Sequence, residues 1–264
     1  MGMVMEISSV FLISDTHVGK KTETFDVKIF EERIKFMFDK MLEFKGVINR
    51  SYRMPDVHLV FLGDILDGEE IYAGQGYDVE CTVDEAMDIA LDIFSSQITR
   101  LMERFEKVYI YGVAGNHGIA NRRGRGNWDI LFYKRLKDRF SMIEDVEVHI
   151  GDWKYIADIR GWKFLFVHGD QIYMYQNIPV YGIIQKAMRW YTGGLDEQFD
   201  AVAMGHFHTF FTFDWNNISI FCNGTLLTGD EYTAKLGMKP QTKFWYIGVS
   251  RNNKIEFAKE VGFE

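Results

Sequence analysis

Five short polar motifs interrupt this chain, each at the end of an apolar run. They read Asp15-Thr16-His17, Gly63-Asp64-Ile65-Leu66-Asp67, Gly115-Asn116-His117, His168-Gly169-Asp170 and Gly205-His206-Phe207-His208. Together they hold five of the seven histidines. Asp15, Asp64, Asn116, His168 and His206 are separated in turn by 49, 52, 52 and 38 residues. Gaps of that size leave room for one or more secondary elements between successive visits to one place. In layered α/β proteins that place is the edge formed by the carboxyl ends of the strands. The chain is therefore expected to fold so that five strand ends meet at one edge.

The intervening sequence fits that plan. Ser9–Ser14 is short, apolar and rich in β-branched and aromatic residues, which predicts a buried strand. Asp26–Phe44 carries Val27, Phe30, Ile34, Met37, Phe38 and Met41 near helical spacing. His58–Leu62 is the next strand. Asp84–Phe105 is a second helix, with Met87, Leu91, Phe94, Ile98 and Leu101 on one face. Val108–Val113 is a third strand, and Asn127 is placed to cap a helix through Leu136. Strand alternates with helix three times, which implies βαβ units and a layered sheet. Further strands are predicted at Val146–Ile150, Lys154–Ile159, Lys163–Val167, Ala201–Met204, Thr209–Asp214, Ile218–Phe221 and Phe244–Val249. A helix is predicted over Ile178–Tyr191. With three prolines and no shift in composition, residues 1–264 are expected to form one domain.

Composition narrows the class. At 47% apolar and 26% charged, the chain matches ordinary globular proteins. The two cysteines, Cys81 and Cys222, do not suggest a disulfide scaffold or a zinc site. No apolar run is long enough to span a bilayer. The N-terminus leads directly into the first motif, so a cleaved signal peptide is not expected, and the cytoplasm is the expected location. The net charge of −8 does not mark a nucleic-acid binder. One segment departs from it. Between Asn121 and Arg139 lie Arg122, Arg123, Arg125, Lys134, Arg135, Lys137 and Arg139, against Asp129 and Asp138, a local charge of +5.

The motifs supply carboxylates, an amide and imidazoles, with no thiolate. Such ligands suit Mn, Fe or Zn in a mixed nitrogen and oxygen site. A pair of these ions is a known device for hydrolysing phosphate esters. In Asp15-x-His17 and His206-x-His208 the two members can converge on one site from a tight loop. Asp64 is the candidate to bridge two cations, because a carboxylate offers two oxygens. His58 and His149, outside the motifs, are read as structural.

The ordered motifs resemble those of the calcineurin-like metallophosphoesterase superfamily, whose pattern is D-x-H, G-D-x-x-D, G-N-H, H and G-H-x-H. The resemblance runs from Asp15 to His208. It implies an α/β (α+β) fold, a two-sheet β-sandwich flanked by helices. It implies two divalent metal ions, Mn first with Fe and Zn as alternatives. Asp15, His17, Asp64 and His208 would hold one; Asp64, Asn116, His168 and His206 would hold the other. A hydroxide between the ions would attack phosphorus, and His117 would act as the catalytic acid on the leaving oxygen. Asp67 and Asp170 would support the ligands through hydrogen bonds. Two positions depart from the family. Gly118 stands where relatives often carry Asp or Glu, which leaves open what orients His117. Gly68 stands where many have Arg or Tyr.

The expected substrate is a phosphoester, with DNA first. A weaker resemblance links the chain to the exonuclease subunit of double-strand-break repair complexes and to bacteriophage phosphoesterases. Arg122, Arg123 and Arg125, directly after the catalytic loop, are the expected phosphate contacts. The 56 residues after His208 are too few for the DNA-capping domain and the ATPase-binding segment of such subunits, so no separate capping domain is expected. A small-molecule phosphodiesterase or phosphomonoesterase is the alternative, and a non-catalytic scaffold a remote one. Tyr173, Tyr175, Tyr181, Trp190 and Tyr191 lie between the fourth and fifth motifs. Plain packing, base stacking and a homodimer surface are all open readings for them.

Overall fold

Strands whose two faces are both covered should carry near-continuous apolar runs rather than alternate, and the central strands of this chain do so toward their carboxyl ends. The computed structural model describes residues 5–68, 78–120, 126–176, 178–229 and 239–263. The elements run β1 (Ser8–Ile13), α1 (Val27–Ile48), β2 (Asp56–Phe61), α2 (Val83–Met102), β3 (Lys107–Gly112), α3 (Trp128–Phe140), β4 (Val146–Ile150), β5 (Lys154–Ile159) and β6 (Trp162–Val167). They continue with α4 (Pro179–Arg189), a π-helical turn over Trp190–Gly194, β7 (Ala201–Met204), β8 (Phe211–Trp215), β9 (Ile218–Cys222), β10 (Lys243–Val249) and β11 (Phe257–Gly262). One sheet has the order β11-β10-β1-β2-β3-β4 and the other β5-β6-β7-β9-β8. β1, β2, β3 and β4 are parallel neighbours, as are β6, β7 and β9.

Residue alternation sorts the side chains into three apolar layers. On β1, Phe11 and Ile13 face the helices, while Val10 and Leu12 face the second sheet. On β10, Phe244 and Tyr246 take the helix side and Trp245, Ile247 and Val249 the inter-sheet side. On β6, Phe164 and Phe166 point between the sheets and Leu165 and Val167 toward α4. The result is a β-sandwich flanked by helices, with α1, α2 and α3 against one sheet and α4 against the other.

The helix starts follow from their caps. Asp26 accepts from the Ile29 N–H at 2.8 Å. Thr82 and Glu85 form a reciprocal capping box at α2. Asn127 caps α3 by accepting from the Asp129 N–H at 2.8 Å.

Three expectations change. The strand pattern is expected to end at Phe244–Val249, yet β11 pairs antiparallel with β10. It is a sheet edge whose Ala258, Lys259 and Glu260 are exposed; its solvated face hides the apolar alternation that marks a strand. The helix over Ile178–Tyr191 is α only through Arg189, where the chain widens into the π-turn, with Gly193 at φ 139°. The strand expected over Thr209–Asp214 is displaced to Phe211–Trp215. Among the described residues, no helix is long and apolar enough to cross a membrane.

The helix-side core is organised around aromatic rings. Phe94 of α2 is fully buried and meets Phe61 edge-on at 5.0 Å, Phe132 at 5.7 Å and Phe30 at 5.9 Å. It thereby locks α1, α2, α3 and β2 together. Phe94→Ala is expected to lower stability by about 3–5 kcal/mol, read from urea unfolding. A loss under about 1 kcal/mol would show that the helices do not depend on this contact.

Candidate metal centre

Each motif begins where a strand ends. Asp15 follows β1, Asp64 follows β2, Asn116 follows β3, His168 follows β6 and His206 follows β7. The backbone ladder continues past the strands and fixes the loops. The Asp15 N–H donates to the Gly63 carbonyl at 3.1 Å and the His17 N–H to the Asp64 carbonyl at 3.1 Å. The Gly205 N–H donates to the His168 carbonyl at 2.9 Å. Five of the expected ligands sit in the left-handed region: Asp15 (φ 51°), His17 (46°), Asp64 (52°), His206 (70°) and His208 (52°). Such residues cost about 1–3 kcal/mol each, so surrounding packing must hold them there. Gly115 is required by close approach, since a Cβ would lie 2.2 Å from Asp64 Oδ1.

The structure brings all seven expected ligands together. Asp15, His17 and His208 offer ligand atoms within 4.8 Å of one another, and so do Asp64, His168 and His206. Asn116 joins the second group through its Oδ1, 3.0 Å from His168 Nε2. The charge of Asp64 favours the protonated forms of His168 and His117 and, less strongly, of His17 and His206.

The donor chemistry fits a divalent ion in each group. His168 uses Nδ1 to donate to the Leu62 carbonyl at 2.8 Å. Its Nε2 lone pair then faces Asp64 Oδ2 at 3.0 Å and Asn116 Oδ1 at 3.0 Å. Three acceptors converge, and a cation satisfies them. A proton can serve: burial disfavours the charged imidazole, but Asp64 and its hydrogen bond raise the pKa of His168 to about 10. A metal ion would displace that proton. In the other group His17 donates through Nδ1 to Asp67 at 3.2 Å. Its Nε2 faces His208 Nε2 at 3.3 Å, and His208 Nε2 lies 3.3 Å from Asp15 Oδ1. His206 is held neutral, its pKa pushed down to about 3 by burial and by the charge of His168.

Asp67 answers the question raised by Gly118. Its Oδ1 accepts from His117 Nδ1 at 2.6 Å as well as from His17. Burial disfavours its charge, but these bonds to His117 and His17 hold the carboxyl well below the usual range. The buried Lys20 ammonium lies 3.6 Å from the other oxygen. His117 in turn is opposed by burial yet raised to about 9 by Asp64 and by the Asp67 bond. Its side chain stays 26% exposed, so the ring that Asp67 orients can reach a substrate. Asp170 is exposed on the loop after His168; its charge favours the protonated form of that imidazole.

Two residues outside the five motifs prove central: Asp129, which the sequence offers only as a charge, and Asn127, which it offers only as a helix cap. Asp129, in the first turn of α3, is fully buried. It accepts backbone N–H groups of Asp64 (2.9 Å), Ile65 (3.0 Å), Leu66 (3.4 Å) and Gly115 (2.9 Å). It therefore ties the second and third motif loops to one carboxylate. Burial, with the nearby Asp64 charge, raises its pKa to about 6. Asn127 donates to the Gly115 carbonyl at 2.8 Å. It also fills the space beside Gly118, where a Cβ would meet Asn127 Oδ1 at 2.5 Å. A side chain at that position would have to displace the Asn127 amide.

The basic segment divides. Arg122, Arg123 and Arg125 lie outside the described residues. On α3, Arg135 pairs with Asp88 at 3.3 Å and Arg139 with Asp92 at 2.8 Å, both on α2. Those two arginines join helices, which removes them from the pool of free phosphate contacts. His58 and His149 belong to no ligand group and stack on Tyr111 at 5.8 and 5.1 Å.

The family model described as calcineurin-like phosphoesterase matches residues 8–222. The chain belongs to that family, and its activity class is phosphoric ester hydrolysis. No curated protein sequence matches the chain. Among solved structures, it is similar to a novel archaeal phosphodiesterase at 14% identity and a TM-score of 0.43, covering 97% of this chain and 99% of that one. Vacuolar protein sorting 29 from Cryptosporidium parvum aligns at 14% identity and TM-score 0.45, over 97% and 99% of the two chains. A hypothetical protein from Pyrococcus horikoshii aligns at 9% identity and TM-score 0.48, over 97% and 88%.

Asp129→Asn keeps the shape but turns one acceptor into a donor facing N–H groups. It is expected to lower stability by about 1–3 kcal/mol and to weaken metal binding, read by calorimetric titration with Mn²⁺. Wild-type stability together with wild-type metal affinity would show that Asp129 does not hold the two loops.

Proposed function

We propose that this chain is a two-metal phosphodiesterase acting on DNA, in the manner of an exonuclease. The convergence of acceptor atoms around Asp64 carries the metal part of the reading. Asp15, His17, Asp64 and His208 would hold one ion and Asp64, Asn116, His168 and His206 the other, with Mn as the first expectation among Mn, Fe and Zn. Such a pair, when bound, activates water and neutralises phosphoryl oxygens.

The chain's own residues account for the rest. Asp67 holds the His117 ring by a hydrogen bond at 2.6 Å that favours its protonated form. His117 is the group suited to protonate the leaving oxygen. The bond from Asp67 takes Nδ1, leaving Nε2 to face the substrate. The His117 N–H donates to Asp64 Oδ1 at 2.7 Å, so the loop that carries the acid is tied to the carboxylate expected to bridge the ions. Arg122, Arg123 and Arg125 are retained as phosphate contacts on their sequence position alone. The ion pairs of Arg135 and Arg139 narrow the basic surface, which favours a small phosphodiester as the second reading.

Asp64→Ala is expected to abolish turnover and to leave fewer than two ions per chain by native mass spectrometry. Full occupancy with near-normal rate would end the bridging assignment. His117→Ala should keep both ions, since Asn116 is the ligand. Its rate should fall about 10²–10⁴-fold on alkyl phosphodiesters, and much less on p-nitrophenyl esters, whose leaving group needs no proton. An equal loss on both would assign His117 to phosphate positioning. The substrate class is tested by a Mn²⁺ panel of single- and double-stranded DNA, RNA, cyclic nucleotides and phosphomonoesters. Preference for DNA supports the proposal, and preference for a small ester replaces it with the second reading.

A further inference from the structure

The segment after His168 and the first turn of α4 show apolar side chains to solvent. Nine large hydrophobic residues are exposed among the described residues, and five of them are Tyr173, Met174, Tyr175, Ile178 and Tyr181. Tyr173 is 91% exposed, Tyr175 64% and Tyr181 63%. A cluster of this kind marks an interaction site more often than scattered surface residues do. Plain packing explains the other aromatics in this stretch: Trp190 is buried, and Tyr191 meets Phe199 at 5.8 Å. It does not explain the three exposed tyrosines.

Backbone contacts tie these residues to the loop after His168 and to α4. The buried Ile172 donates its N–H to the Gly169 carbonyl at 3.0 Å, next to the ligand His168. The Tyr173 carbonyl presses against α4 at Gly182, where a Cβ would lie 2.0 Å from it. Tyr175 and Ile178 exchange backbone bonds of 2.9 and 3.3 Å. The rings of Tyr175 and Tyr181 then sit 6.0 Å apart. Along α4, Tyr181, Gln185 and Arg189 are all exposed and recur at four-residue spacing, so they share one face. They extend over about 12 Å. Among the described residues Arg189 has no carboxylate partner.

We propose that Tyr173, Tyr175 and Tyr181, continued by Arg189, form a stacking track for unpaired bases of a single-stranded nucleic acid whose end enters the metal centre. This rests on the reading of the substrate as nucleic acid. Aromatic faces beside a cation are the combination that holds single strands without reading sequence. Position supports it, because the track starts five residues from His168. A second copy of the chain is the less suitable occupant. A stable interface takes roughly 20–30 residues a side, and this patch offers five apolar side chains.

The test uses the full chain with chelator, so that nothing is cleaved, and a fluorescent 12-mer of thymidylate beside an abasic 12-mer. Wild type should bind the base-bearing strand at least about tenfold more tightly, as stacking of one base allows. The variant Tyr173→Ala/Tyr175→Ala/Tyr181→Ala should bind both strands at the abasic level. With Mn²⁺ it should hydrolyse a small aryl phosphodiester within twofold of wild type, which reports an intact fold. Arg189→Ala should weaken both strands equally and lower the salt slope. If the triple variant keeps the tenfold preference while wild type cleaves DNA, the track is wrong and the nucleic-acid reading stands. If wild type neither binds nor cleaves any oligonucleotide, the nucleic-acid reading fails and takes the track with it. A wild-type dimer that becomes monomeric in the variant, by sedimentation, would reassign the patch to self-association and overturn the proposal.

Discussion

Four buried carboxylates set the terms for this structure. Asp15, Asp64, Asp67 and Asp129 are each 2% exposed or less. Gathering them out of water is costly unless each charge is answered by hydrogen bonds or a cation. Asp129 receives four backbone N–H groups at the start of α3, where the helix dipole also favours an anion. Asp15 receives the His206 N–H at 3.0 Å and Asp64 the His117 N–H at 2.7 Å. Asp67 takes two imidazoles and the nearby Lys20. What remains on Asp15 and Asp64 faces histidine nitrogens and an amide oxygen, and that residue of negative potential is what a divalent ion would answer.

The sandwich exists on both sides of this cluster. The six-stranded sheet supplies Asp15, His17, Asp64, Asn116 and His117 from the ends of β1, β2 and β3. The five-stranded sheet supplies His168, His206 and His208 from β6 and β7. The ligands therefore meet only because the inter-sheet layer of Val10, Leu12, Val60, Phe164, Phe166 and Ala203 keeps the sheets packed. Backbone strain at five ligand positions is carried by the same packing. The chemistry of the centre thus depends on an apolar layer that contains none of its ligands.

Much of this was legible in the chain. Strands β1, β2, β3, β6 and β7 read clearly because helices or the opposing sheet cover both faces, leaving each with an apolar run at its carboxyl end. The candidate ligands stand out because each follows such a run. β11 was missed because one face is solvated and polar. Asp129 was invisible for a different reason: an acid in the first turn of a helix is common, and nothing local says that it reaches across to Asp64 and Gly115. The ion pairs of Arg135 and Arg139 depend on Asp88 and Asp92, 47 residues away in each case. A charge run alone could not distinguish a helix-to-helix seam from a phosphate track. The pairing of Asp67 with His117, by contrast, follows from motif residues, and only its geometry had to come from the fold.

The central claim is that the buried cluster is a two-cation centre. Its most direct test is thermal unfolding of the wild-type chain with chelator and with increasing Mn²⁺, alongside native mass spectrometry. The account predicts two ions per chain and a Tm that climbs with metal, equivalent to about 2.7 kcal/mol for each ion at a hundred times its Kd. An unchanged Tm with no ion retained would contradict it, and would leave the four carboxylates compensated by the protein alone.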